Sequence, residues 1–310
     1  MISTFALTKY YDTKPAVRDV SLHVAVGETC ALVGPNGAGK TSLLKMLAGL
    51  LRPTSGKIEV AGVEVGVEPK RLHEIVGYVP DTFGLYDELT VAQFLDYFAR
   101  AHRVAAEKIE KRINGVLELT GLTSKTRAAV GSLSRGMRQR LVIAKTLLHA
   151  PKVLLLDEPA AGLDPHARVE LRDLIRELGA LGTTLVVSSH ILTELADFCT
   201  SVVIMERGRV VRAGQISALV AELSGGIPVR IELLDEASVG ALIAELQARE
   251  AVQQIEARAL TIDCAFVGER TALAALHREL VGQHRGIVSF YERQLTVEDV
   301  FLAASSREVA

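Results

Sequence analysis

A run of eight residues, Gly34–Pro35–Asn36–Gly37–Ala38–Gly39–Lys40–Thr41, limits what this chain can fold into more than any other feature. It follows the apolar stretch Thr29–Val33, which reads as a short buried strand. Behind it, a helical apolar spacing continues through Leu50. Glycines in such a run let the backbone curl so that its N–H groups point inward at phosphate oxygens. The helix that follows adds the positive end of its dipole. In this pattern Lys40 reaches the outer phosphates of a nucleotide, and the Thr41 hydroxyl, with Ser42 beside it, is placed to bind magnesium. The bland reading is a glycine-rich turn with a surface lysine. The strand before and the helix after argue against it.

The rest of the first two thirds fits around that loop. Residues 2–10 and 16–26 read as strands, and further buried strands are expected at Val153–Leu156, 184–187 and 202–205. Helical patterns between the last three predict a parallel, helix-covered sheet. Residues from about 84 to 150 show helical spacing without an intervening strand, which predicts a helical subdomain inserted into the sheet. Val153–Leu156 delivers Asp157 and Glu158 at a strand's C-terminal end, where ligands bind in open α/β sheets. A carboxylate there can hold magnesium, and its neighbour can take a proton from an attacking water. The alternative is a pair of acids capping the turn before Pro159. A second Leu-Leu-Asp-Glu string at residues 233–236 shows that these four letters alone decide little.

After Gly225 and Gly226 the pattern changes to β-α-β-β-α-β, the split βαβ or ferredoxin-like order. The chain is therefore expected to divide into residues 1–226 and an accessory α/β domain, 227–310. A final short helix is expected from Thr296, with Asp299 as capping partner and an apolar face of Val297, Val300 and Phe301.

Bulk properties exclude some classes. With 310 residues, a formal net charge of -2 and no basic stripe, nucleic acid is not the expected partner. Cys30, Cys199 and Cys264 lack metal-ligand spacing and read as buried thiols of a reducing compartment. The N-terminus lacks the order of a signal peptide, and no apolar run approaches the ~20 residues that span a bilayer.

The motif set as a whole resembles the nucleotide-binding subunits of ABC transporters over about residues 1–222. Leu133–Ser134–Arg135–Gly136–Met137 is similar to the ABC signature, residues 161–164 (Ala-Gly-Leu-Asp) to the D-loop, and His190 to the switch histidine. Tyr11 stands where the family stacks an aromatic ring on adenine. The resemblance implies ATP and Mg2+ as ligands, with Gly34 to Ser42 around the phosphates and Thr41, Asp157 and Asp81 at the metal. It implies Glu158 and His190 in catalysis, and Ser134, Gly136 and Asp164 in contact with a second copy's nucleotide. It also implies an integral membrane permease as a separate chain, and a peripheral position on the cytoplasmic membrane face. The tail, with Asp-Val-Phe-Leu at residues 299–302, is similar to an exporter subgroup. Residues 82–89 are the expected contact to the membrane chain, anchored by Phe83, Leu85 and Tyr86.

Two positions depart from the family. Asp81 replaces the usual glutamine, and Arg135 replaces the usual first glycine of the signature. Two other classes remain open at this point. A soluble ABC ATPase of translation or DNA repair is one, although two cassettes or a long coiled coil would be expected there. A P-loop kinase is the other, and it leaves Ser134, Asp164 and His190 without a role.

Overall fold

In the computed structural model Thr29–Val33 is a strand with every residue buried, because it lies inside a sheet covered on both faces. The structure describes residues 1–191, 195, 198–223, 225–283, 286–293 and 299. These fall into two compact units, Met1–Ile216 and Ser217–Ala310.

The first unit begins with β1 (Ile2–Tyr11), β2 (Lys14–Val24), β3 (Thr29–Val33), α1 (Lys40–Leu47), β4 (Ser55–Val60), β5 (Val63–Glu64), α2 (Pro69–Ile75) and β6 (Val76–Val79). It continues with α3 (Val91–Ala101), α4 (Ala106–Leu119), α5 (Arg135–Leu147), β7 (Val153–Leu156), α6 (Pro165–Ala180), β8 (Thr184–Ser189), β9 (Ser201–Glu206) and β10 (Arg209–Gln215). Two sheets result, ordered β2-β1-β4-β5 and β10-β9-β3-β8-β7-β6. The first is antiparallel. In the second all neighbours run parallel except β10 and β9.

Register is what positions the site. Val33 stands beside Ser189, Leu156 beside Val187, and Val79 beside Leu156. The C-terminal ends of β3, β8, β7 and β6 therefore lie in one row, and every segment leaving them opens at the same edge. Leu43, Leu44, Met46 and Leu47 of α1 join residues of both sheets in one core, with Ile2, Val20 and Ile58 from one and Val153, Val186 and Met205 from the other. Each such side chain, fully buried, contributes about 1.5–3 kcal/mol. That burial anchors the helix whose N-terminus carries the phosphate loop.

The helical insertion consists of α3, α4 and α5. Thr90 starts α3 with a capping box: its hydroxyl accepts from Gln93 N–H, and the Gln93 side chain accepts from Thr90 N–H. Arg140 of α5 is buried and donates to the Thr120 carbonyl at 2.9 Å, tying α5 to the end of α4.

In the second unit α7 (Ile216–Leu223) spans the division and precedes Gly225 and Gly226. Then come β11 (Ile227–Leu233), α8 (Ala237–Gln247), β12 (Val252–Arg258), β13 (Thr261–Phe266), α9 (Arg270–Gln283) and β14 (Ile287–Glu292). The sheet order β12-β13-β11-β14, antiparallel throughout, is the split βαβ topology. Val229, Ile231 and Leu233 alternate into a separate core with Leu242, Leu246, Leu276 and Leu280. On the other side of β11, Arg230 holds Asp263 with two hydrogen bonds of 2.7 Å. The helix expected from Thr296, with Val297, Val300 and Phe301, lies outside the described residues; Asp299 is described, and its carboxylate pairs with Arg293.

Cys30, Cys199 and Cys264 are all buried and unbonded to one another. Burial pushes the Cys30 thiol up to about 12 and the Cys264 thiol to about 11, so both are inert at neutral pH. None of the described helices is long and apolar enough to cross a membrane.

Candidate nucleotide site

The loop from Gly34 to Gly39 closes on its own backbone. Ala38 N–H donates to the Pro35 carbonyl at 3.1 Å. Gly39 is the N-cap of α1, in the left-handed region at φ 103°. A Cβ there would lie 2.3 Å from the Ala16 carbonyl oxygen, so only glycine fits. It also leaves the helix start without a side-chain cap, which frees the first N–H groups for an incoming anion. Lys40, 6% exposed, donates to the carbonyl of Gly34 at 2.7 Å and of Pro35 at 3.4 Å. Its ammonium lies 3.2 Å from Glu158 Oε1.

Asp157 leaves β7 fully buried and is satisfied by three hydroxyls. Thr41 donates to its Oδ1 at 3.1 Å, Ser188 to the same oxygen at 2.8 Å, and Tyr78 to Oδ2 at 3.2 Å. Burial first, then the charge of Asp157, raises the Tyr78 phenol far above its ordinary value and keeps it a donor. Thr41 and Asp157 are thus adjacent hard oxygen ligands of the kind Mg2+ takes alongside nucleotide phosphates.

Glu158 takes a left-handed backbone, φ 46°, at a cost of about 1–3 kcal/mol for a residue with a side chain. Its N–H is fixed by the Ser188 hydroxyl at 2.8 Å. Oε1 faces Lys40, and Oε2 accepts from His190 Nδ1 at 2.8 Å. The carboxylate is therefore held from two sides while 17% of it stays exposed.

Of the residues expected from sequence, Gly34, Pro35, Gly39, Lys40, Thr41, Asp157, Glu158 and His190 meet in this cluster. Tyr11 and Ser42 form a flank, with their hydroxyls 3.4 Å apart and Lys9 over the Tyr11 ring at 5.4 Å. Asn36 and Gly37 are exposed on the loop, and Ala38 is buried beneath it. The Asp81 carboxylate accepts from Thr82 N–H at 2.8 Å, and Asp81 lines a cleft with Glu158. Ser134, Gly136 and Asp164 form a second group. Ser134 caps α5 by accepting from Met137 N–H, and Asp164 caps α6 by accepting from Ala167 N–H. Gly136 sits where a Cβ would lie 2.6 Å from that of Ala167, so α5 and α6 touch there.

Tyr78 and Ser188 are functional neighbours of Asp157 that sequence reasoning missed. Their only signal is position, since each lies at or near the end of a strand flanking β7.

The ABC transporter family model matches residues 17–161. Nod factor export ATP-binding protein I of Rhizobium sp. (strain N33) is 34% identical over 99% of this chain and 98% of its own length. The chain belongs to the ABC transporter family. It is an ATP-binding, ATP-hydrolysing subunit of that family. Among solved structures, an ATP-binding subunit of an ABC transporter is 31% identical, with TM-score 0.65, covering 72% of this chain and 93% of that one. A dimeric ATP-binding cassette in a post-hydrolysis state, bound to ADP and Pi, is 25% identical, with TM-score 0.63, covering 69% and 98%. The family assignment sets aside the kinase reading and the reading without a transporter.

Proposed function

We propose that this ABC ATPase powers export through a separate membrane-spanning chain, working at the cytoplasmic face as a head-to-tail dimer with Mg·ATP at each of two composite sites. The observation that carries this reading is that Ser134 and Asp164 use their side-chain oxygens to cap α5 and α6, outside the hydrogen-bonded cluster at the phosphate loop. Lys40, Thr41, Asp157, Glu158 and His190 form one half of a site. Ser134 caps its own helix α5 and makes no hydrogen bond to its own phosphate loop among the described residues. A second copy would supply the missing half.

The roles follow from the contacts. Gly34 to Ser42 would wrap the phosphates, with Lys40 on the outer ones and Tyr11 against the adenine. Thr41 and Asp157 would hold Mg2+, which neutralises charge on the phosphates when bound. Glu158 takes the proton of the attacking water, oriented by His190 Nδ1. Ser134, Gly136 and Asp164 would meet the partner's nucleotide, so that ATP ties two subunits together and hydrolysis releases them. The dimeric relative bound to ADP and Pi supports the assembly. The Nod factor export relative supports the direction of transport.

Residues 82–89 are the proposed contact to the membrane chain. Tyr86 and Tyr97 are exposed beside a shallow groove that Leu85 and Leu89 also line. Their rings lie 5.9 Å apart and extend to Phe94 and Phe98 beneath. Arg138 of α5 pairs with Asp87 in the same stretch at 2.9 Å, so the signature helix is tied to it.

Replacing Asp81 by Gln restores the family's residue. Because Asp81 is turned to Thr82, basal ATPase should change by less than about tenfold, or ~1.4 kcal/mol in barrier. Steady-state turnover checks this, and a larger loss would make Asp81 a ligand or base.

Residues 227–310 are proposed as a regulatory or assembly domain, since every phosphate-site residue precedes them. A chain ending at Gly226 should fold, bind ATP with nearly full affinity and lose assembly with the membrane subunit. Isothermal titration and co-purification from membranes read these separately. An insoluble product would show that the parts share one core.

A further inference from the structure

Arg135 is the first residue of α5, directly after the Ser134 N-cap. A cation there opposes the helix dipole, so its presence calls for another partner. The structure supplies one. Arg135 Nη2 donates to the Ala161 carbonyl at 3.1 Å. Its guanidinium also covers Gly162, where an added Cβ would lie 2.7 Å from Cζ. Gly162 has φ 68°, and a side chain there would push the tip of Arg135 aside.

The segment beneath is a closed turn. Ala161 N–H donates to the Glu158 carbonyl at 3.1 Å, and Leu163 N–H to the Ala160 carbonyl at 3.2 Å. Arg168 Nε holds the Leu163 carbonyl at 3.1 Å from α6. Every one of these bonds is local to the turn and α6 except that of Arg135, which arrives from α5. Glu158 and Arg135 also line one cleft with Ala161, Asp81 and Gln139.

We propose that Arg135 is a positioning residue for hydrolysis. It fixes the turn after Glu158 from the N-terminus of the helix that carries Ser134. This rests on the roles given above to Glu158 and Ser134. When α5 engages the second subunit's nucleotide, the shift is passed through Arg135 to the backbone holding this subunit's own carboxylate. The two composite sites are thereby coupled, and Arg135 touches neither nucleotide.

The test is steady-state ATP hydrolysis by the full chain, wild type and Arg135→Ala, Arg135→Lys, Gly162→Ala and the Ala/Ala double variant. Arg135→Ala should lower kcat about tenfold, the rate equivalent of one hydrogen bond to a charged donor, with KM for ATP within about twofold of wild type. The dependence of rate on ATP should become less cooperative. Arg135→Lys keeps a donor for Ala161 and should recover part of kcat. Gly162→Ala displaces the guanidinium and also strains a left-handed backbone, so it should be at least as slow as Arg135→Ala, and adding Arg135→Ala to it should cost nothing more. If Gly162→Ala does not fold, the Ala and Lys variants at 135 decide alone. An Arg135→Ala chain with unchanged kcat overturns the proposal. So does one with raised KM and weakened ATP-driven dimerisation, which would place the cation on the nucleotide itself. A Glu158→Gln chain that hydrolyses normally would instead remove the role of Glu158, so the two failures are distinct.

Discussion

Glu158→Gln is expected to bind ATP and hydrolyse it about 10²–10⁴ times more slowly than wild type, the range for a lost general base. The amide is nearly isosteric, and its oxygen can still accept from His190 Nδ1, so the 2.8 Å contact need not be lost. What disappears is the charge that faces Lys40 at 3.2 Å and, with it, the basicity proposed to take the water's proton. Binding should therefore survive while chemistry fails. With ATP present, gel filtration should show the chain trapped at twice its monomer mass, because the bridging phosphate is never removed. Normal turnover in this variant would take Glu158 out of its role. Dimer formation with ADP alone would detach assembly from the outer phosphate.

The second large effect concerns shared sites. Ser134→Arg and Lys40→Ala should each abolish most ATPase activity, for different reasons. Lys40→Ala removes the cation held between the Gly34 carbonyl and Glu158. Ser134→Arg removes the α5 cap, at about 0.5–2 kcal/mol of stability, and blocks the face offered to the second copy. A thermal melt controls for the stability loss. An equimolar mixture forms mixed dimers in which one composite site has both defects and the other has neither. Random pairing leaves roughly a quarter of all sites intact under two-fold symmetry, and activity should rise toward that level. A mixture as inactive as its parents would mean either that each chain works alone or that both sites must fire in one event. Titrating wild type with Lys40→Ala separates these, since only the second gives a squared loss.

Sequence made the phosphate loop legible because all its determinants are local: an apolar strand, a glycine pattern and a helix start within one short stretch. Thr29–Val33 and Val153–Leu156 were recognisable for the same reason, as buried strands with unbroken apolar character. The split βαβ order of the tail was legible from alternation in Val229, Ile231 and Leu233. Ser55–Val60 was not, since its first three residues are exposed, nor was Val76–Val79, which is mostly buried but only four residues long and holds a glycine. The partners of Asp157 were hidden for a deeper reason. Tyr78 and Ser188 meet it only because β6, β7 and β8 are neighbours, and strand order is a long-range property. Arg135 is similar: helix-dipole reasoning finds it misplaced, and only the approach of α5 to residues 161–162 shows where its charge goes.

The contact between Lys40 and Glu158 has a consequence for turnover. Both groups are largely removed from water and lie 3.2 Å apart, a distance at which each offsets the other's charge. If Lys40 binds the terminal phosphate as proposed, an arriving nucleotide would compete with the Glu158 carboxylate for the same ammonium. Without nucleotide, the proposed base would then rest on its own cation. After bond cleavage, the carboxylate would compete with the freed inorganic phosphate for Lys40. On the proposed roles, one ion pair would serve as a safety catch before the reaction and as an ejector after it.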